Sequence, residues 1–126
     1  MPTRRQEKVA RVIREVVSDV IAHHLNDPRI TGFVSVTRVD VMADLRSADV
    51  YLSIFASPEN AQDKSFAAIL GARARIQSFL AEALESKFCP VLRFHIDEQF
   101  RKTLETMRLI DQVASERQSK DTEPQP

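Results

Sequence analysis

Ser65-Phe66-Ala67-Ala68-Ile69-Leu70-Gly71-Ala72-Arg73-Ala74-Arg75-Ile76-Gln77-Ser78-Phe79-Leu80-Ala81-Glu82-Ala83-Leu84 has helical composition throughout, yet it does not read as one straight amphipathic helix. At 3.6 residues per turn, Phe66, Ile69 and Leu70 mark one apolar stripe. Ile76, Phe79, Leu80, Ala83 and Leu84 mark a second, rotated from the first by roughly a quarter turn. A continuous helix would drive Arg73 into the apolar face, and an unpaired buried guanidinium is costly. Gly71, one of only two glycines in the chain, sits at the seam, where glycine costs about 1 kcal/mol relative to alanine. The pattern predicts a kink or short break across Gly71, Ala72, Arg73 and Ala74, with Arg73 and Arg75 turned outward. The competing reading is an uninterrupted helix whose Arg73 snorkels to solvent.

On the N-terminal side, residues 3–25 repeat apolar side chains at Val9, Val12, Ile13, Val16, Val17, Val20 and Ile21, a helical stripe with Arg4, Lys8 and Arg11 opposite. Asn26-Asp27-Pro28 stops it, because proline disfavours helical geometry in the residue before it. Gly32 opens a valine-rich strand, Phe33 to Val41, whose alternation changes phase between Val36 and Val39 and so predicts a bulge. After a short turn at Ala43-Asp44-Leu45, Arg46 to Ala56 alternates cleanly. Ala48, Val50, Leu52 and Ile54 share one face, and Asp49, Tyr51 and Ser53 the other. These two strands are expected to pair as a hairpin.

A loop at Ser57-Pro58-Glu59-Asn60 leads into the interrupted helix, taken from about Gln62 to Ser86. Cys89-Pro90 opens a third strand, Val91 to Ile96, with Leu92, Phe94 and Ile96 inward. Asp97 is placed to cap a last helix through about Glu116, carried by Phe100, Leu104, Met107 and Ile110. The polar, proline-ended residues 118–126 read as a disordered tail, leaving residues 1–117 as one domain.

Composition narrows the function classes. The 126 residues suffice for one hydrophobic core, and no apolar run is long enough to span a bilayer. The N-terminus is basic and polar rather than signal-like, and a lone Cys89 allows no intramolecular disulfide. Both features point to a cytoplasmic protein with no membrane partner. Eighteen basic and eighteen acidic residues cancel, so a nucleic-acid surface must come from uneven placement. Cations gather at Arg4, Arg5, Lys8, Arg11 and Arg14, and again at Lys64, Arg73, Arg75, Lys87 and Arg93.

The element order helix–strand–strand–helix–break–helix–strand fits a type II KH-like α+β domain, here followed by a C-terminal helix, as one of several folds the pattern alone allows. Several segments together resemble the ribosome-binding factor A family. Leu25-Asn26-Asp27-Pro28-Arg29-Ile30 followed by Val36-Thr37-Arg38-Val39-Asp40-Val41 looks like its opening. Asp44-Leu45-Arg46-Ser47-Ala48-Asp49-Val50-Tyr51-Leu52-Ser53 is similar to its Asp-Leu then Ala-x-Val-Tyr-Val segment. Ile76-Gln77-Ser78-Phe79-Leu80, leading to Pro90-Val91-Leu92-Arg93-Phe94-His95-Ile96-Asp97, resembles its Pro-x-Leu-x-Phe-x-x-Asp strand. The likeness runs through nearly all of residues 4–113.

The resemblance implies a monomeric, non-enzymatic assembly factor without cofactors. It implies binding to the immature 30S subunit near the decoding site and a part in late processing of the 16S rRNA precursor, especially in the cold. Ribosomal proteins and a maturation GTPase are the further partners it suggests. Members lack the Gly-x-x-Gly loop of standard KH domains, and their two central helices meet at an Ala-x-Gly kink. Ala72-Arg73-Ala74 occupies that place here, alanine replacing the glycine, with Gly71 just before it.

With only Gly32 and Gly71, the chain cannot form the loop that lets RNA backbone approach protein backbone closely. Recognition would instead rest on arginine and lysine contacts to phosphate and on the shape of folded rRNA. The expectation is one contact patch from Arg73, Arg75, Lys87 and Arg93 and a second from Arg4, Arg5, Lys8 and Arg11. The alternative is a non-ribosomal KH-like module that binds protein through its outer sheet face or last helix, which the neutral net charge favours. For catalysis the candidates are weak. His23 and His24 diverge by about 100° on a helix and lack metal-ligand spacing. His95 shares an outer strand face with Arg93, Cys89 reads as a structural thiol, and Asp97 as a cap.

Overall fold

The computed structural model describes residues 2–56, 60–84 and 89–121. Its elements run α1 (Arg4–His23), β1 (Phe33–Val41), β2 (Ser47–Phe55), α2 (Asn60–Gly71), α3 (Arg73–Leu84), β3 (Val91–Ile96) and α4 (Glu98–Asp121). The sheet order is β1-β2-β3. The first two strands form an antiparallel hairpin, and β3 returns parallel to β2 after the α2–α3 crossover. This is the KH-like α+β architecture. Ile13, Val17 and Val20 of α1, Ile69 of α2 and Ile76 and Leu80 of α3 form one core with Ala48, Val50, Leu52 and Leu92 of the sheet.

Local chemistry sets each boundary. Thr3 and Gln6 make a reciprocal capping box at the start of α1, with Gln6 N–H donating to Thr3 Oγ1 (3.1 Å) and Thr3 N–H to Gln6 Oε1 (2.8 Å). The helix ends at His23, just short of the expected residue 25, where the His24 N–H still reaches the Val20 carbonyl at 2.8 Å. Beyond it, the Asp27 carboxylate takes the Arg29 N–H and pairs with its guanidinium at 2.7 Å, a compact turn that the proline cannot continue as helix. Gly32 has φ +76°, and a side chain there would run into the Phe55 carbonyl oxygen. Only glycine fits that crossing.

The predicted strand phase change is real: the β1–β2 register shifts between Val36 and Arg38, leaving Thr37 as the extra residue. The hairpin turn closes with the Leu45 N–H on the Met42 carbonyl, 2.9 Å, and the Arg46 N–H on Asp44 Oδ1, 3.0 Å. It places Leu45 at φ 61°, with its side chain packed against the core.

The break in the central helix falls at the single residue Ala72, whose N–H is shared between the carbonyls of Ala68 and Ile69, each at 3.1 Å. Arg73 and Arg75 are both exposed, as expected. Two assignments of the apolar stripes are corrected. Leu70 is 44% exposed, and Ala83 lies at the surface. The core side of α2 is instead built by Ser65, Ala68 and Ile69, because small residues let the helix sit close to the sheet. Gly71 keeps a negative φ with open space where a side chain would stand, so the break does not depend on glycine's conformational freedom.

The last helix departs further from expectation. Asp97 caps it, Oδ1 accepting the Phe100 N–H at 3.0 Å. However, Phe100, Met107 and Ile110 are exposed rather than buried, Ile110 by 61%. The helix continues to Asp121, past the expected end at Glu116 and into residues 118–121 of the expected tail. No glycine or proline interrupts the chain between Glu98 and Asp121, so nothing local stops it. Asn60, expected in the loop 57–60, already begins α2, ahead of the expected start at Gln62; residues 57–59 of that loop, the helix end at Ser86, the Leu104 side chain and residues 122–126 lie outside the described residues.

Candidate nucleic-acid interface

On α1, Ile13, Val17 and Val20 take the buried side, which leaves Arg4, Lys8 and Arg11 on the opposite stripe with Arg5 beside them. All four are exposed, as are Arg73 and Arg75 at the start of α3. Among the described residues none of these six has an ion-pair partner. A phosphate reaching them displaces no carboxylate, and that is the chemistry of a backbone-reading surface.

Arg93 does not join Arg73 and Arg75 in one patch. Leu92 and Phe94 point into the core beneath the helices, so Arg93 projects from the opposite face of the sheet. There it is committed: its Nε lies 3.0 Å from Asp49 Oδ1, and Nη2 lies 3.4 Å from Oδ2. Strand alternation separates residues that look adjacent as a list of cations. Lys87 lies outside the described residues.

The outer sheet face holds a network that sequence reasoning did not assemble. Asp49 also accepts His95 Nε2 at 2.8 Å. The His95 ring stacks on Tyr51 with centroids 5.1 Å apart, and the Arg38 guanidinium lies 4.2 Å from the Tyr51 centroid. Arg38 also pairs with Asp40 at 3.1 Å. The signal was present in the alternation: Arg38, Tyr51 and His95 stand opposite one another in the strand register, as do Asp40, Asp49 and Arg93. Here each guanidinium already faces a carboxylate, so this face offers phosphate far less than α1 and α3 do.

An open groove of about 880 Å³ lies between the end of β2 and α4, with Phe55 and Met107 among its walls. Arg101 and Arg108 line it together with Asp97, Glu105 and Asp111, so it concentrates no positive charge. The residues considered for catalysis make the following contacts. His23 Nδ1 and His24 Nε2 both reach the Asp19 carboxylate, at 3.0 and 3.3 Å. No metal-ligating cluster occurs among the described residues. Burial pushes the Cys89 thiol upward, away from the reactive thiolate, and the Gln77 side chain donates to its sulfur at 3.4 Å. No helix among the described residues is long and apolar enough to cross a membrane.

Comparison with known proteins shows the family. Residues 5–110 match the profile of the family described as "Ribosome-binding factor A". A ribosome-binding factor A from Thermomicrobium roseum is 38% identical over 118 residues, covering 94% of this chain and 90% of its own. A solution structure of a Thermotoga maritima protein described as a putative ribosome binding factor A superposes with a TM-score of 0.63. It is 28% identical, across 75% of this chain and 89% of that one. A homology model of the Thermus thermophilus ribosome binding factor A, as fitted into a cryo-EM map of its complex with the 30S subunit, gives a TM-score of 0.54. It is 25% identical over 67% of this chain and 86% of that chain. With the profile running from the first turn of α1 into α4, the chain belongs to the ribosome-binding factor A family.

Proposed function

We propose that this protein binds the free or immature 30S ribosomal subunit in the cytoplasm, as a monomer, and assists late maturation of the 16S rRNA precursor, especially in the cold. Family membership supports 30S binding, and a homology model of the Thermus thermophilus relative has been fitted into a map of a 30S complex. The observation that carries the mode of binding is the set of six exposed, unpaired cations on α1 and α3. With no Gly-x-x-Gly loop available, these side chains act on phosphate and on rRNA shape rather than as a sequence-specific single-strand clamp. The role is that of a binding factor rather than an enzyme. Residues 1–117 carry the ribosome-binding domain, residues 118–126 add a polar extension, and ribosomal proteins and a maturation GTPase complete the set of partners.

Co-sedimentation of the purified protein with 30S, 50S and 70S particles across a salt series tests this. Near-stoichiometric binding to 30S alone, lost steeply as salt rises, is the expected result. Absence of 30S binding at low salt overturns it. Binding that persists unchanged at high salt favours a protein-interaction module instead.

A further inference from the structure

The exposed side of α1 changes sign partway along its length. At 3.6 residues per turn, Arg4, Lys8, Arg11, Glu15 and Ala22 fall within about 40° of one line, opposite the buried Ile13, Val17 and Val20. All five are exposed. The first three carry positive charge, and the next place on the line, one turn past Arg11, belongs to a carboxylate. No ion pair joins Glu15 to Arg11, or to any other cation among the described residues. Arg5 borders the cationic row on one flank and Glu7 on the other. Beyond Glu7 stands only Arg14, which is turned aside, its Nη2 donating to the Thr37 carbonyl at 3.3 Å. That bond and the one from Gln6 Nε2 to the Val41 carbonyl, 2.9 Å, fasten this half of α1 to β1, so the row keeps one attitude to the sheet.

We propose that RNA backbone runs along α1 from Arg4 to Arg11 and is turned away from the helix by Glu15, a specificity-determining carboxylate that sets how much of α1 the RNA occupies. This path rests on the rRNA reading above. The axial rise is roughly 6 Å from Arg4 to Lys8 and about 4.5 Å from Lys8 to Arg11. A row this short and straight suits about three neighbouring phosphates of one chain. Two rRNA segments meeting at α1 would need cations spread round the helix, and the flank beyond Glu7 has only Arg14, already held by Thr37. A phosphate continuing along the line past Arg11 would meet Glu15, and like charges brought together oppose that register while leaving the shorter one intact.

The test is 30S co-sedimentation of the full chain across a salt series, with the variants Lys8→Ala, Arg11→Ala, Glu15→Lys and Ala22→Lys. All four positions are exposed, and alanine and lysine both suit a helix, so the variants are expected to fold. Lys8→Ala and Arg11→Ala should each flatten the dependence of log affinity on log salt by about one phosphate contact. Glu15→Lys should steepen it by about one, because the next phosphate then finds a cation. Ala22→Lys, on the same line but about 16 Å further along the axis, should leave it unchanged. The path is overturned if Glu15→Lys leaves the slope unchanged, or if both alanine variants keep the parent slope. It is overturned equally if Ala22→Lys steepens the slope as much as Glu15→Lys, since RNA would then follow the whole helix or respond to net charge alone. These failures leave the rRNA reading standing, whereas a parent that binds 30S without salt dependence, or does not bind it, overturns both.

Discussion

Thr37 Oγ1 lies 2.6 Å from Asp97 Oδ2, so the extra residue of the β1 bulge holds the carboxylate that caps α4. The Thr37 hydroxyl, then the Phe100 N–H, keep the Asp97 carboxyl below its ordinary range. A carboxylate depressed by folding contributes stability above its unfolded value, near pH 4, and that contribution is lost as pH falls through the folded value. Asp97→Asn is expected to be less stable than the parent at pH 7 and to converge with it at low pH. Urea denaturation between pH 2.5 and 7 checks this, and a gap that persists at the lowest pH would assign the effect to something other than the charge. Thr37→Val should raise the Asp97 pKa measured by carboxyl NMR.

Asp27 follows the same sign. The Arg29 guanidinium holds its carboxyl down to about 2. Its contribution is complete above about pH 4 and disappears between about 4 and 2. Arg29→Met should bring the Asp27 titration back towards the ordinary carboxylate value.

The two glycines should respond in opposite directions. Gly32→Ala adds a side chain at φ +76° against the Phe55 carbonyl, and is expected to cost about 2 kcal/mol or more. Gly71→Ala meets open space at a helical φ, and is expected to stabilise by about 0.5–1 kcal/mol. Thermal and denaturant unfolding of the two variants decides this. A destabilised Gly71→Ala would mean that the break at Ala72 needs glycine after all.

Ser65 is fully buried at the start of the crossover. Its Oγ donates to the Arg29 carbonyl at 3.0 Å and accepts the Thr31 N–H at 3.2 Å, latching the loop before β1 onto α2. Ser65→Ala leaves both backbone groups without that partner and should cost about 1–3 kcal/mol. Faster amide exchange at Thr31 would localise the loss, and exchange unchanged there would contradict the latch.

Replacing Arg73 and Arg75 together with alanine should weaken 30S binding and flatten its salt dependence by about one to two phosphate contacts. Arg93→Ala, which removes one of the two partners of Asp49 on the other face of the sheet, should leave that slope unchanged. Co-sedimentation of the three proteins across salt separates the cases, and equal slopes for the parent and the double variant would remove α3 from the interface.

Much of this molecule follows from local pattern. The period-two alternation of Ala48, Val50, Leu52 and Ile54 assigned the buried face of β2, and the phase slip after Val36 located the bulge. The outward turn of Arg73 followed from the cost of burying a guanidinium, and Asp97 before Glu98 announced a cap. These are properties of residues a few positions apart, where backbone geometry dictates which side a side chain takes. Tertiary contact decided the rest. Leu70 lost its place in the core to Ser65 and Ala68, since close packing of α2 on the sheet rewards small side chains and a buried hydroxyl with two backbone partners. Arg93 was parted from Arg73 and Arg75 because strand register gave it to Asp49, forty-four positions away in sequence. Gln77, to which the helical pattern assigns no role, holds the start of β3 through the Pro90 carbonyl and the Leu92 N–H. Such pairings depend on how elements distant in the chain come to lie beside one another, which periodicity within a single element does not contain.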